Sequence, residues 1–436
     1  MTTIAASGFV ASRLGVRLEV SPGTAGARPY ADAVEIGLRR NTKRAQLLVS
    51  RLLGKHVPVP AVTVLAAAAE LGAAVRAACA GRTPVVLGFA ETATGLGHGV
   101  AAVCAAGGGP APCLHTTRRP PPPGADVVRF TEDHSHAVDQ SLALTSDAWL
   151  CDDRPLVLVD DELTTGSTAV NAIRALHARW PRRNYVLATL LDCRPPDRQE
   201  AVADAVRGLG ASLTSVALLH GSIVLPGDVV SRALELAGSL PPGGHPSRSA
   251  PVPVSWLDVP LAGVKATGAQ GWDAADERAA ALAMDRLASS LPVPRDGRTL
   301  VLGDEELMYL PQLLASALGD DVMTSTTTRT PAVVLDRPGY PLRTVLRFGS
   351  TDDGRRPAYA YNVATSSQAE RGNAPGFDHI VFVTDAPAGR RTADVIDALA
   401  GAARQGVHVV TVRTGGGLAV AAGATAAGAG ERDAGE

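Results

Sequence analysis

The sequence predicts an α/β protein: a parallel sheet flanked by helices, followed by a second α/β unit. Three observations predict it. Short apolar runs alternate with helical patterns through the first half. One such run, Pro155–Val159, leads through two acids into a Thr/Gly/Ser loop and then a helical pattern, and strand carboxyl ends in open α/β sheets face the ligand crevice. Four segments of the first half also recur, in the same order, in the second.

Taken in chain order, residues 1–60 are mixed. They hold a basic stretch, Arg39-Arg40-Asn41-Thr42-Lys43-Arg44, continuing to Arg51, Lys55 and His56. It could reach a phosphate or form a solvated helix face. Pro60 to Cys79 is Ala-rich with helical spacing, Pro84 to Gly88 reads as a short buried strand, and Val100 onward reads as a helix. Pro120 to Pro123 is a stiff proline loop, Val127 to Phe130 a strand, Ala169 to Trp180 a helix and Tyr185 to Leu191 a further strand. Ser239 to Val254 is rich in Pro, Gly and Ser, and Asp273 to Leu291 is an amphipathic helix. The expected organisation is a first domain over 1–238, a linker over 239–258, a second domain over 259–414 and a frayed tail over 415–436.

Composition sets the bounds. A chain of 436 residues with 46% apolar and 19% charged residues suits two or three globular domains and excludes a disordered protein. Lys plus Arg is 41 and Asp plus Glu is 43, a net charge of −2, and only 4% of residues are aromatic. Neither a bulk nucleic-acid binder nor a base-stacking platform is expected. The five cysteines, Cys79, Cys104, Cys113, Cys151 and Cys193, form no C-x-x-C pair, so no disulfide framework or structural zinc is expected. The N-terminus lacks the basic start and apolar run of a signal peptide, and no window of about 18 residues is apolar and free of charge. The expectation is a reduced, cytoplasmic protein with no membrane partner. The abundance of Ala, Gly, Arg and Pro suggests a GC-rich bacterial genome.

The chemistry concentrates in Pro155–Thr168, PLVLVDDELTTGST. The loop Thr164-Thr165-Gly166-Ser167-Thr168 before a helix offers N–H groups, hydroxyls and a positive dipole end to a phosphate. Asp160 and Asp161 just before it can accept hydrogen bonds from sugar hydroxyls. An acid pair plus a phosphate loop describes a ribose 5-phosphate clamp. Glu162 adds a third carboxylate, either near the site or as a solvated loop acid.

This segment resembles the diphosphoribosyl-binding signature of type I phosphoribosyltransferases. Arg40–Pro58, Gly88–His98, His115–Arg118 and Phe130–His136 resemble the phosphoribosyltransferase of bacterial tellurium-resistance clusters. Thr327-Thr328-Arg329-Thr330-Pro331 resembles the hallmark of its appended TRSP domain. The resemblance implies transfer from phosphoribosyl diphosphate (PRPP) to a small-molecule acceptor, with Mg2+, in making a nucleoside-like metabolite. It implies that Asp160 and Asp161 hold the ribose hydroxyls and the metal, that Thr164 to Thr168 hold the 5-phosphate, and that Gly88, Phe89, Ala90, Thr92 and Arg118 hold the diphosphate. Glu91 and Glu162 are candidate general bases; Glu91 could instead hold magnesium through water, contact the acceptor or be a structural turn acid. His115 to His136 stands where such enzymes carry a lid, and a homodimer is a further expectation. Within that lid, Glu132, Asp133, His134 and His136 are polar lid residues or, less simply, metal ligands.

The repeat pairs Val85–Glu91 with Leu300–Glu306, Thr116–Arg118 with Thr327–Arg329, Arg129-Phe130 with Arg347-Phe348, and Pro155–Thr168 with His379–Thr392. The second copy has lost the chemistry: Thr384 replaces the first acid, Asp385 survives, and Ala388-Gly389-Arg390-Arg391 replaces the phosphate loop. A degenerate domain of the same fold is the expectation. It could cover the active site in cis through Arg329, Arg355, Arg356, Tyr359 or Tyr361. The alternatives to an enzyme of transfer are a sensor that binds PRPP without consuming it and, on weaker grounds, a PRPP-synthase-like enzyme.

Overall fold

The computed structural model describes residues 4–5, 8–23, 33–39, 45–121, 124–131, 139–144, 146–239, 250–260, 264–365 and 376–413. The elements run β1 (Ile4–Ala5), α1 (Phe9–Leu14), β2 (Arg17–Pro22), β3 (Val34–Leu38), β4 (Gln46–Ser50), β5 (Val59–Pro60), α2 (Ala61–Ala78), β6 (Val85–Gly88), α3 (Thr94–Ala101) and β7 (Cys113–His115). There follow β8 (Asp126–Thr131), β9 (Asp139–Leu144), β10 (Leu156–Leu163), α4 (Ser167–His177), β11 (Asn184–Asp192), α5 (Pro196–Arg207), β12 (Ser212–Val224) and α6 (Val229–Ser239). The second half holds β13 (Val254–Pro260), α7 (Ala274–Ser290), β14 (Thr299–Gly303), α8 (Tyr309–Leu318), β15 (Met323–Thr326), β16 (Val345–Gly349), β17 (Pro357–Tyr361), β18 (His379–Thr384), α9 (Arg390–Ala400) and β19 (Gly406–Arg413).

Two sheets result. The first has seven strands in the order β1-β2-β12-β11-β10-β6-β7, the second six in the order β13-β19-β18-β14-β15-β5. Within the two large sheets the inner pairings are all parallel, and antiparallel pairing is confined to β1, β2 and β5 at the edges. Strands β6, β14 and β18 are buried throughout and read as continuous apolar runs, because helices cover both faces of a parallel sheet. Helix α2 is long and apolar enough to cross a membrane by composition alone. Here it is a core helix: Ala61, Val64, Ala68, Leu71 and Val75 form a buried stripe at helical spacing, packed on α3, β11, β12 and α8.

Several boundaries differ from the sequence expectation. The helix expected from Val100 onward starts at Thr94 and ends at Ala101. Its glycines hide the helical signal yet permit close packing: a Cβ on Gly99 would lie 2.6 Å from Ala68 Cβ. Strand β10 runs on through Asp160, Asp161 and Glu162 to Leu163, held by parallel pairing such as Glu162 with Leu191. Residues 254–258, expected within the linker, are strand, paired along β19. Residues 240–249 and the tail lie outside the described residues. Strand β5, from the N-terminal half, closes the edge of the second sheet against β15.

The internal repeat is visible bond by bond. Strands β10, β6 and β7 correspond in order to β18, β14 and β15. The Gly88 carbonyl accepts the Thr116 N–H at 2.9 Å, and the Gly303 carbonyl accepts the Thr327 N–H at 2.9 Å. The Ala90 N–H donates to Thr116 Oγ1 at 2.7 Å, and the Glu305 N–H to Thr327 Oγ1 at 2.9 Å. Arg129 lies opposite Ser141 in the β8–β9 hairpin, and Arg347 opposite Tyr359 in the β16–β17 hairpin. Residues Thr117 and Thr328 bridge to those same partners, Ser141 and Tyr359. The second copy thus keeps the backbone architecture of the first.

Candidate active site

The loop after β10 is built to expose backbone. Gly166 caps α4 at φ +77°, where a side chain is strained, and a Cβ there would lie 2.8 Å from Val202 Cγ2. The first-turn N–H groups of α4 have no intrahelical acceptor and carry the positive end of the helix dipole. Thr165 Oγ1 takes the Ser167 N–H at 3.3 Å, which tightens the turn. Beneath the loop lies a pair that sequence reasoning missed, Asp192–Arg194. Both side chains are buried; Arg194 Nε and Nη2 donate to the two Asp192 oxygens at 2.9 and 2.7 Å. The only signal for it was an Asp-x-Arg at the end of an apolar strand, too common to single out.

An open cleft gathers most of the expected residues. Asp160, Asp161, Glu162, Thr164, Thr165, Gly166 and Thr168 line one part of it; Ala90, Thr92, Arg118 and Gln140 line a second. Arg39, Leu47, Leu48, Lys55 and His56 complete it, so part of the N-terminal basic stretch does reach the site. Arg51 does not line it and pairs with Glu35 at 2.6 Å, while Arg40, Lys43 and Arg44 lie outside the described residues. Lys55 Nζ donates to Thr92 Oγ1 at 2.9 Å, linking that stretch to the loop after β6. Asp160 Oδ1 accepts the Asp161 N–H at 3.0 Å. Burial, then the neighbouring Glu162, pushes the Asp161 carboxyl up from its ordinary value, against the pull of Lys55.

Other expected residues lie beside the cleft rather than along it. Ser167 is in the α4 turn but not among the lining residues. Gly88 ends β6, and Phe89 is buried against Phe130, with rings 5.8 Å apart. The Phe89 N–H donates to Val159 O at 3.0 Å and the Ala90 N–H to Thr116, so neither amide is free to cradle a diphosphate. The Ala90–Glu91 peptide is cis. Glu91 is buried, and its carboxylate accepts the Arg329 N–H at 3.3 Å. In mirror fashion, buried Glu306 accepts the Arg118 N–H at 2.7 Å and the Thr117 hydroxyl at 2.6 Å. The two copies therefore exchange equivalent carboxylates across their interface. In the expected lid, Glu132, Asp133, His134 and His136 lie outside the described residues. His115 is buried against His98, with rings 5.9 Å apart.

The matching position in the second copy is closed by charge. Arg119 reaches from the first copy to Asp385 at 2.6 Å and Asp352 at 3.3 Å. Arg329 holds Glu305 at 2.8 Å and Asp352 at 3.0 Å, and Arg356 holds Glu305 at 2.7 Å. Against burial, the guanidiniums of Arg329 and Arg356 keep Glu305 below its usual range. Deeper still, Asp304 accepts the hydroxyls of Thr351 at 2.7 Å and Thr384 at 2.6 Å. Burial is the main force pushing Asp304 up, to about 7. The residues expected to cover the first site do otherwise: Arg329, Arg355, Arg356, Tyr359 and Tyr361 are not among those lining the cleft.

Among the described residues no three His, Cys, Asp or Glu converge on a metal cage. The adjacent carboxylates of Asp160 and Asp161 nonetheless suit a hard cation that takes its other ligands from substrate oxygens and water.

Comparison with known proteins finds two family matches along the chain. Residues 33–222 match the family described as phosphoribosyl transferase, and residues 266–399 match the TRSP domain found C-terminal to it. Among solved structures, the adenine phosphoribosyltransferase of Giardia lamblia with 9-deazaadenine is 20% identical and covers 44% of this chain and 98% of its own, with a TM-score of 0.29. The orotate phosphoribosyltransferase of Aeropyrum pernix is 19% identical and covers 48% of this chain and 95% of its own, with a TM-score of 0.26. No curated protein matches the chain.

Proposed function

The chain belongs to the phosphoribosyltransferase family and carries a TRSP domain, and from that premise we propose that it transfers 5-phosphoribosyl from PRPP to a small-molecule acceptor. One observation carries the reading: the acid pair, the Thr/Gly/Ser loop, Thr92 and Arg118 line a single cleft. The acceptor nucleophile attacks ribose C1, the bond from C1 to the diphosphate oxygen breaks, and its electron pair leaves with diphosphate. The proton lost by the nucleophile passes to solvent or to a carboxylate, with Glu162 the candidate in the cleft. The backbone and hydroxyls of Thr164 to Thr168 anchor the 5-phosphate. Asp160 and Asp161 hold the ribose hydroxyls and favour the positive charge that develops on the sugar. Arg118 and Thr92 hold the diphosphate. Mg2+, held by substrate oxygens with Asp160 and Asp161, would neutralise the leaving diphosphate. The resemblance to tellurium-resistance-cluster enzymes favours a nucleoside-like product made in the bacterial cytoplasm.

The test is diphosphate release from PRPP with magnesium across a panel of acceptors, with Asp160→Asn/Asp161→Asn as control. Acceptor-dependent release that the double variant lacks supports transfer. Tight PRPP binding without release for any acceptor would turn the reading towards a sensor. Release of AMP when ATP and ribose 5-phosphate are supplied would turn it towards a PRPP synthase.

A further inference from the structure

The two copies satisfy one buried threonine differently. In the second copy Thr327 Oγ1 accepts the Glu305 N–H and donates to Asp304 Oδ1 at 3.3 Å, so its acceptor belongs to the loop after β14. In the first copy Thr116 Oγ1 accepts the Ala90 N–H, and its one proton goes to Gln140 Oε1 at 2.5 Å. Phe89 stands where Asp304 does, and its ring packs on Phe130. Gln140 lies opposite Phe130 in the β8–β9 hairpin, and Ala358 lies opposite Phe348 in the β16–β17 hairpin. The matching hairpin position of the second copy therefore carries no side-chain acceptor. In the copy whose cleft is open, the acceptor has moved from the loop to the hairpin.

That move has a geometric consequence. The loop after β6 is held from two sides: the Phe89 N–H donates to Val159 O on β10, and the Ala90 N–H donates to Thr116 after β7. Two residues on, Thr92 lines the cleft and accepts a hydrogen bond from Lys55. A hydroxyl has one proton and two lone pairs. With the proton committed to Gln140, a lone pair of Thr116 is aimed at the Ala90 N–H. Both side chains are buried, so removing the Gln140 carbonyl takes the acceptor from a hydroxyl that water does not reach. Beside Gln140, Ser141 exchanges backbone bonds with Thr117 at 2.7 and 3.1 Å, which sets the segment that carries Arg118. The hairpin is thus the support on which the diphosphate side of the cleft is built.

We propose that Gln140 is a positioning residue for the diphosphate: through Thr116 it fixes the loop that presents Thr92. The inference rests on the transfer reading above, in which Thr92 and Arg118 hold the diphosphate. The 5-phosphate loop hangs from β10 and α4 instead, so the two phosphate positions should respond differently.

The experiment titrates the full chain by calorimetry with two probes, magnesium diphosphate and ribose 5-phosphate. Gln140→Leu removes the acceptor at similar volume. It is expected to weaken diphosphate about tenfold and to leave ribose 5-phosphate within about twofold of wild type. Gln140→Met carries the same expectation should Gln140→Leu fail to fold. Thr116→Val is expected to weaken diphosphate by at least as much, and adding Gln140→Leu to it should cost less than about twofold more. Thr116→Ser, which keeps the hydroxyl, is expected to bind both probes within about twofold of wild type. Unchanged diphosphate binding in Gln140→Leu overturns the inference. So does an equal loss of both probes, which is general loosening of the fold. So do losses that multiply in the double variant, which make the two residues independent. If ribose 5-phosphate binds the wild type and diphosphate does not, the inference falls alone. If neither probe binds, the phosphoribosyl reading fails and the inference falls with it.

Discussion

The loop after β10 and the loop after β18 occupy the same place in two copies of one architecture, and they have opposite fates. After β10, three acids and a Thr/Gly/Ser turn face an open cleft. After β18, the surviving acid Asp385 is neutralised by Arg119 of the other copy, and Arg329 and Arg356 satisfy its neighbours Glu305 and Asp352. Buried or half-buried charges must be paired, by a ligand or by the protein. The second copy completes that pairing within the protein, across the boundary between the copies. What the second copy retains is a supporting role: through Glu306 and Arg329 it holds the segments that carry Arg118 and Glu91.

The most severe way to break this contrast is at the acids. Asp160→Asn/Asp161→Asn should lower diphosphate release by about a thousandfold or more, roughly 4 kcal/mol of transition-state stabilisation. Asp385→Asn should leave the rate of release near wild type and lower only stability, by about 1 kcal/mol, since Arg119 keeps Asp352. Equal loss of release in both variants would place chemistry in the second copy.

Next come the turn glycines. Gly166→Ala puts a side chain at φ +77° against Val202 and should destabilise the fold by about 2 kcal/mol while raising KM for PRPP. Gly389 is extended, at φ 165°, and a Cβ there meets nothing within 4 Å. Gly389→Ala should therefore shift stability by less than about 0.5 kcal/mol in chemical denaturation.

A pH titration of stability sharpens the contrast further. Asp304 in the closed copy has a folded pKa of about 7 against an ordinary 3.8, chiefly through burial. The folded state thus keeps a proton that the unfolded chain releases. Its contribution to stability is complete below pH 3.8, falls as pH rises, and is gone above about 7. The slope it adds is at most about 1.4 kcal/mol per pH unit, and Asp304→Asn should flatten the stability profile across that window. An unchanged profile would mean that Asp304 is ionised throughout.

The smallest expected effect is at the exchanged carboxylate. Glu306→Gln can still accept the Arg118 N–H, so a loss of about 1 kcal/mol or less in PRPP affinity is expected, with kcat unchanged. Glu306→Ala, which leaves the Arg118 N–H and the Thr117 hydroxyl without that acceptor, should weaken PRPP further. Identical PRPP binding in both variants would remove the supporting role of the second copy.

Much of this was legible in the sequence. Strand β6, helix α2, strand β11 and helix α7 follow from apolar runs and helical spacing, and Asp273 shows the start of α7 by capping it. The acid pair and the phosphate loop were legible because they are contiguous, and the repeat because its four segments keep their order. The β5 edge strand was not legible, because its two residues carry no period and gain a partner only in β15. Nor was the partner of Arg119: it follows Arg118 directly in the sequence, and folding turns it to Asp385.

The sequence by itself determined the two α/β units, the position of the acids and the loop, and the loss of those groups from the second unit. These are local properties, written in runs of adjacent residues. The tertiary structure alone decided which side chains meet across the two units: Glu306 with Arg118, Glu91 with Arg329, Arg119 with Asp385, and Asn362 with the His56 carbonyl. Those partners lie 188 to 306 residues apart, and the packing of the two units, α2 and α3 against α8 included, brings them within reach of a hydrogen bond, whose geometry no spacing along the chain encodes.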